Sequence, residues 1–207
     1  MITDILDFFS EHHLRILDIL GAVLGIVYIL LEYRASIYLW LVSIIMPLVD
    51  MFLYFDAGLY ADFGMAIYYA LAAVYGYVLW KYGKQSDHDN SPLSITHFPV
   101  SKIIPATVIF LLIWGGMYGI LVLFTDSTVP VTDSFVNALS IVALWALAHK
   151  YIEQWLIWIV VDAICCALYA YKDIPFKATL YGLYVFIAIL GYRNWVKMSK
   201  SASTSTN

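Results

Sequence analysis

WLIWIVVDAICCALYAY, running from Trp155 to Tyr171, decides how the rest of the chain is read. It is about one bilayer thickness of apolar and aromatic side chains with one carboxylate, Asp162, near its middle. About 20 apolar residues cross a hydrocarbon core of ~30 Å as a helix. A charged group at that depth costs from ~2.5 to more than 10 kcal/mol unless it faces protein or water. Asp162 is therefore expected to face the inside of a bundle. There it either bonds a Tyr or Trp donor on a neighbouring helix or lines a substrate path.

The composition agrees. The 207 residues are 63% hydrophobic and 13% charged, with a mean hydropathy of +0.82. A soluble domain is ~45–50% apolar and ~25% charged, so the chain reads as an integral membrane protein. A net charge of −4 gives no reason to expect a nucleic-acid partner. Cys165 and Cys166 are adjacent inside a span and read as small core hydrophobes rather than a disulfide. Met1 to Ser10 carries two aspartates and no basic residue, so no cleavable signal is expected. His12, His13, His88, His97 and His149 all fall near span ends or in loops, against a buried metal cluster. With no phosphate-binding loop and no nucleophile elbow either, neither an enzyme nor a bound cofactor or metal is expected.

Seven apolar stretches predict seven transmembrane helices, at Leu14–Leu31, Ile37–Phe55, Leu59–Trp80, Ile103–Phe124, Asp133–Ala148, Trp155–Tyr171 and Phe176–Trp195. Short hydrophilic breaks separate them, with the longest, KYGKQSDHDNSPLSITH, after the third. The Ser/Thr-rich end is expected to be disordered. Counting basic residues sets the orientation. Arg15, Lys172 and Lys177 lie on one side, and the other eight of the 11 Lys and Arg on the other. The N-terminus is thus expected outside and the C-terminus in the cytoplasm.

A shift of 115 residues aligns the chain with itself. Asp18 falls on Asp133, Trp40 on Trp155, Tyr54 on Tyr169, Tyr69 on Tyr184, Gly76 on Gly191 and Trp80 on Trp195. From Leu14 to Trp80 there are 15 identities over 67 positions, and the rarer Trp, Tyr, Gly and Asp pairs carry most of the weight. The shift maps spans one to three onto spans five to seven. One intervening span gives both units the same orientation, a parallel repeat as used by transporters. The expected organisation is a lead-in over 1–13, a first three-helix bundle over 14–82, a cytoplasmic loop over 83–101 and a linker helix over 102–125. A second three-helix bundle over 132–196 and a disordered tail over 197–207 complete it.

The spans combine acid with aromatic surface. Asp50 follows Pro47 in the second span, Asp62 opens the third and Asp162 sits in the sixth. Trp80 and Trp195, at matching span ends, read as interfacial residues. Trp155, Trp158, Asp162 and Tyr169 are spaced three, four and seven apart and share one helix face. Rings there can stack on a flat ligand and attract a cation at ~0.5–2 kcal/mol each. Asp50 and Asp162 could equally relay protons, which would couple transport to a proton gradient.

Leu59–Trp80, LYADFGMAIYYALAAVYGYVLW, and the long stretch Asp133–Trp195 resemble the PnuC family of vitamin transporters. The resemblance covers nearly all of Leu14–Trp195. It implies two three-helix bundles joined by a linker helix, a homotrimer in a bacterial inner membrane, and facilitated diffusion with trapping by phosphorylation. It also implies that nicotinamide riboside members carry a Gln or Asn where Ala66 stands, and a Gln where Leu144 precedes Trp145. Both amides are apolar here, so the likeness is nearer the thiamine-transporting PnuT branch, with nicotinamide riboside as the alternative ligand. On that reading Tyr69, Trp145, Trp158 and Tyr184 stack on the vitamin. Asp62 and Asp162 face its cation, and Asn137 hydrogen-bonds it.

Overall fold

The computed structural model describes residues 23–56, 60–86, 89–125 and 128–204. The expected lead-in, Asp18, and the side chains of Asp50 and Asp62 fall outside the described residues. The helices are α1 (Val23–Tyr33 as described), α2 (Tyr38–Asp56), α3 (Tyr60–Tyr82), α4 (Ile103–Phe124), α5 (Pro130–Ala148), α6 (Gln154–Tyr171) and α7 (Pro175–Thr204). Among the described residues, five segments, Phe63–Tyr82, Val100–Phe124, Pro130–Ala148, Gln154–Tyr171 and Pro175–Ser201, are long and apolar enough to cross a membrane. The protein is thus helical and multi-pass. Contacts divide it into two compact units, Met1–Ala70 and Leu71–Asn207, with α3 contributing to both.

Two local features depart from expectation. The connection after α3 is not all loop: β1 (Lys84–Ser86) pairs antiparallel with β2 (Asp89–Pro92), and a 3-10 turn, Val100–Lys102, leads into α4. α7 also continues past Trp195 to Thr204, through a stretch whose composition predicts disorder. The extension carries its own local bond, from Ser201 Oγ to the Lys197 carbonyl at 3.0 Å.

Within the first unit, α1 turns into α2 through Ala35, whose φ is 48°. Ala35 N–H donates to the Glu32 carbonyl and Ser36 N–H to the Leu31 carbonyl, both at 2.9 Å. This is the double bond of a Schellman C-terminus, which closes orphan carbonyls at the cost of one left-handed residue. Within the second unit, α5 turns into α6 in the same way. Lys150 has φ 54°, its N–H donates to the Leu147 carbonyl, and Tyr151 N–H donates to the Ala146 carbonyl, again both at 2.9 Å. The next helix starts alike in both, with Trp40 N–H to the Ile37 carbonyl and Trp155 N–H to the Ile152 carbonyl, each 3.2 Å. Both tryptophans are buried.

The second unit is built on α6 and α7. A Cβ on Gly191 would meet the Trp155 ring at 2.6 Å, so the two helices approach there because glycine has no side chain. Trp195 packs edge-on to Trp155 at 5.9 Å and lies 6.4 Å from Trp80. Trp80 donates its indole N–H to the Ala148 carbonyl at 3.1 Å. Trp80 and Trp195 are therefore interior residues rather than the interfacial belt that their span-end positions suggest. α4 is different: none of its residues is buried. It leans on α5 through Phe110 and Trp114 against Phe135.

Candidate substrate site

α6 supplies the frame. Gln154, Trp158, Asp162, Cys165 and Tyr169 recur at spacings of four, four, three and four, which keeps them on one helix face. Gln154 is 0% exposed and Asp162 6%. Neither end of the Gln154 amide nor the buried Trp158 indole N–H has a hydrogen-bond partner among the described residues. A buried polar group left unpaired costs about 1–3 kcal/mol. No cation pairs with Asp162 among the described residues either.

α7 lays two tyrosines near this face. Tyr181 stacks on Tyr169 at 5.3 Å and 16°, and Tyr184 meets Tyr181 edge-on at 5.8 Å. Tyr181, Tyr184 and Cys165 all lie within electrostatic reach of Asp162. Asp162 and Tyr184, two residues expected to bind substrate, thus both belong to the α6–α7 pair. Trp158 stands one turn from Asp162 on the same face.

α5 contributes at matched depth. Counting 1.5 Å per residue from the α5–α6 turn places Asn137 level with Cys165 and Asp133 level with Tyr169. Asn137 gives one Nδ2 hydrogen to the Asp133 carbonyl, 2.8 Å, which leaves its second N–H and its amide oxygen for other partners.

Trp145 goes elsewhere. It sits in the last turn of α5, inside a clasp that ties the segment before α4 to the α5–α6 turn. Its ring lies 4.6 Å from His149, 5.8 Å from Tyr151 and 5.9 Å from Phe98. Lys102 donates to the Tyr151 hydroxyl at 2.9 Å, with its ammonium over the Trp145 and Tyr151 rings. Glu153 accepts from the Phe98 N–H at 2.7 Å and pairs with His97 Nδ1 at 2.8 Å. Thr96 and Ile152 join by backbone at 3.0 Å, and Lys150 Nζ donates to the Leu93 carbonyl at 2.9 Å. Burial, with Lys102 close by, holds His149 below its ordinary value against the bond to the Trp145 carbonyl, and burial likewise lowers Lys150.

Tyr69 belongs to the first unit, half-buried and edge-on to Tyr68 at 5.4 Å. Asp62, as noted, is outside the described side chains. Besides Asp162, the buried polar residues among those described are Glu32, Ser134, Ser140 and Gln154, of which the two serines bond carbonyls of their own helix. Glu32, 2% exposed, accepts from Tyr28 one turn before it, and Gln154 was assigned to the polar break after α5. For Gln154 a signal existed: it stands four residues before Trp158 and eight before Asp162.

Comparison with known proteins places this arrangement. The nicotinamide riboside transporter PnuC of Escherichia coli is 22% identical over 172 residues, covering 72% of this chain and 71% of that protein. The riboflavin/roseoflavin transporter RibM of Streptomyces davaonensis is 26% identical over 199 residues, covering 93% and 90%. A crystal structure of the vitamin B3 transporter PnuC shares the fold with a TM-score of 0.70 at 21% identity, covering 95% of this chain and 87% of that one. The profile of the nicotinamide mononucleotide transporter family matches residues 15–197. The chain belongs to that family, PnuC and its relatives, and is a membrane transporter rather than an enzyme.

Proposed function

We propose that the protein carries a flat, positively charged vitamin, thiamine before nicotinamide riboside, by facilitated diffusion completed by phosphorylation inside the cell. The observation that carries this reading is Asp162, buried in α6 without a cation among the described residues, beside Trp158, Tyr181 and Tyr184. A ring stacked on Trp158 presents its positive charge to that carboxylate in low dielectric, where attraction is strongest. The E. coli relative is named for nicotinamide riboside, which is cationic; the S. davaonensis relative is named for riboflavin, which is not and gains nothing from the carboxylate. Ala66, 4% exposed, and Leu144 offer apolar side chains in place of amides, which favours thiamine.

The matching turns at Ala35 and Lys150, 115 residues apart, support the parallel repeat and a rocking mechanism built on it. The charge asymmetry supports an N-terminus outside a bacterial inner membrane, and family resemblance supports a homotrimer. Calorimetric titration of the purified protein with thiamine and nicotinamide riboside tests the reading. Thiamine heat alone supports it. Riboside heat alone replaces the ligand within the same family, and silence from both overturns the cationic site.

A further inference from the structure

The two halves related by the 115-residue shift allow each residue of the α6 face to be compared with its counterpart in α2. Gln154 corresponds to Leu39, Trp158 to Ser43 and Asp162 to Pro47. Leu39 and Gln154 both have 0% exposure, and both donate a backbone N–H across the same turn, to Ser36 at 3.1 Å and to Tyr151 at 3.3 Å. The turn therefore forms equally well around a leucine. What the second half gains at this position is a buried amide with both ends unpaired among the described residues. Natural structures rarely leave such a group without a partner in some functional state. Gln154 lies one helical turn, ~6 Å of rise, before Trp158, and Asp162 one turn after it.

We propose that Gln154 is a specificity-determining residue of the transport site, reading a hydrogen-bonding edge of the ligand while Trp158 holds its ring and Asp162 its charge. The inference rests on the vitamin-transport reading and adds a further polar contact to it. A primary amide carries a donor and an acceptor side by side, so its partner is a heteroaromatic edge with the complementary pair. An aminopyrimidine, a carboxamide and a cyclic imide all provide one. A site with a buried amide aimed at such an edge rejects analogues that lack it, because the amide is then left unpaired.

The test uses the full-length protein, as wild type and as Gln154→Leu. Calorimetry compares thiamine with an analogue whose pyrimidine amino group is replaced by hydrogen; thermal unfolding is measured alongside. Gln154→Leu is expected to weaken thiamine at least tenfold, leave the amino-free analogue within twofold, and keep or raise the melting temperature. If the wild type takes nicotinamide riboside or riboflavin instead, the same comparison is made with that ligand and a version lacking its amide or imide hydrogens. Equal loss for ligand and analogue, or unchanged ligand affinity in the variant, overturns the role of Gln154 alone. A wild type that binds none of the three overturns the vitamin reading and this proposal with it.

Discussion

The α1–α2 turn and the α5–α6 turn share one backbone and differ in what their side chains do. In the first, Glu32 takes the Tyr28 hydroxyl, and Leu39, Ser43 and Pro47 run along the following helix. In the second, Glu153 is held by Phe98 and His97, while the next residue, Gln154, meets no partner, and the face continues through Trp158 and Asp162. The backbone motif closes the end of the preceding helix, and it does so with either side-chain set. Glu153 ties its turn to the segment before α4, while the unbonded groups along α6 are the ones proposed above to meet a ligand.

The contrast breaks most sharply at Asp162. Asp162→Asn keeps shape and removes charge, and should weaken a cationic ligand by about 2–3 kcal/mol, roughly 30- to 150-fold, in a binding titration. A neutral ligand should lose far less. Next comes packing. Gly191→Ala forces a Cβ into the Trp155 ring and should cost about 1–3 kcal/mol of stability. Gly115→Ala, where a Cβ meets nothing within 4 Å, should leave the melting temperature unchanged or slightly higher.

The clasp predicts smaller effects on stability and little on ligand choice. Glu153→Gln replaces two charge-assisted bonds with neutral ones and should cost about 1 kcal/mol in unfolding, with the thiamine-to-riboside affinity ratio unchanged. His149 gives the smallest signal. Its proton is bound less readily in the folded protein than in the unfolded chain, so its contribution is present above about pH 6.5 and lost as pH falls through the lower folded value. A His149→Gln variant should flatten that acid-side decline in a series of unfolding scans.

Much of the fold was legible because bilayer thickness is a strong constraint on sequence. The fourth span, Ile103–Phe124, coincides with α4, and α5, α6 and α7 start within a few residues of their expected positions. Asp162 was legible for the same reason, as a charge with nowhere in lipid to go. Trp80 and Trp195 differ from expectation because depth along a span does not say which way a ring faces. Both pack into the bundle end, and Trp145 packs into the clasp. Gln154 was hidden by its neighbours: it follows Lys150, Tyr151 and Glu153 in what reads as a polar connection, and only the helix start at Gln154 puts it on the α6 face.

α4 carries a practical consequence. None of its residues is buried, and Gly115, Gly116 and Gly119 each have open space where a side chain would begin. With Cys165 and Cys166 first replaced by serine, a single cysteine at any of them would offer an attachment point for a fluorophore away from the α6 face, making this helix the natural mast from which to watch the carrier work in a vesicle.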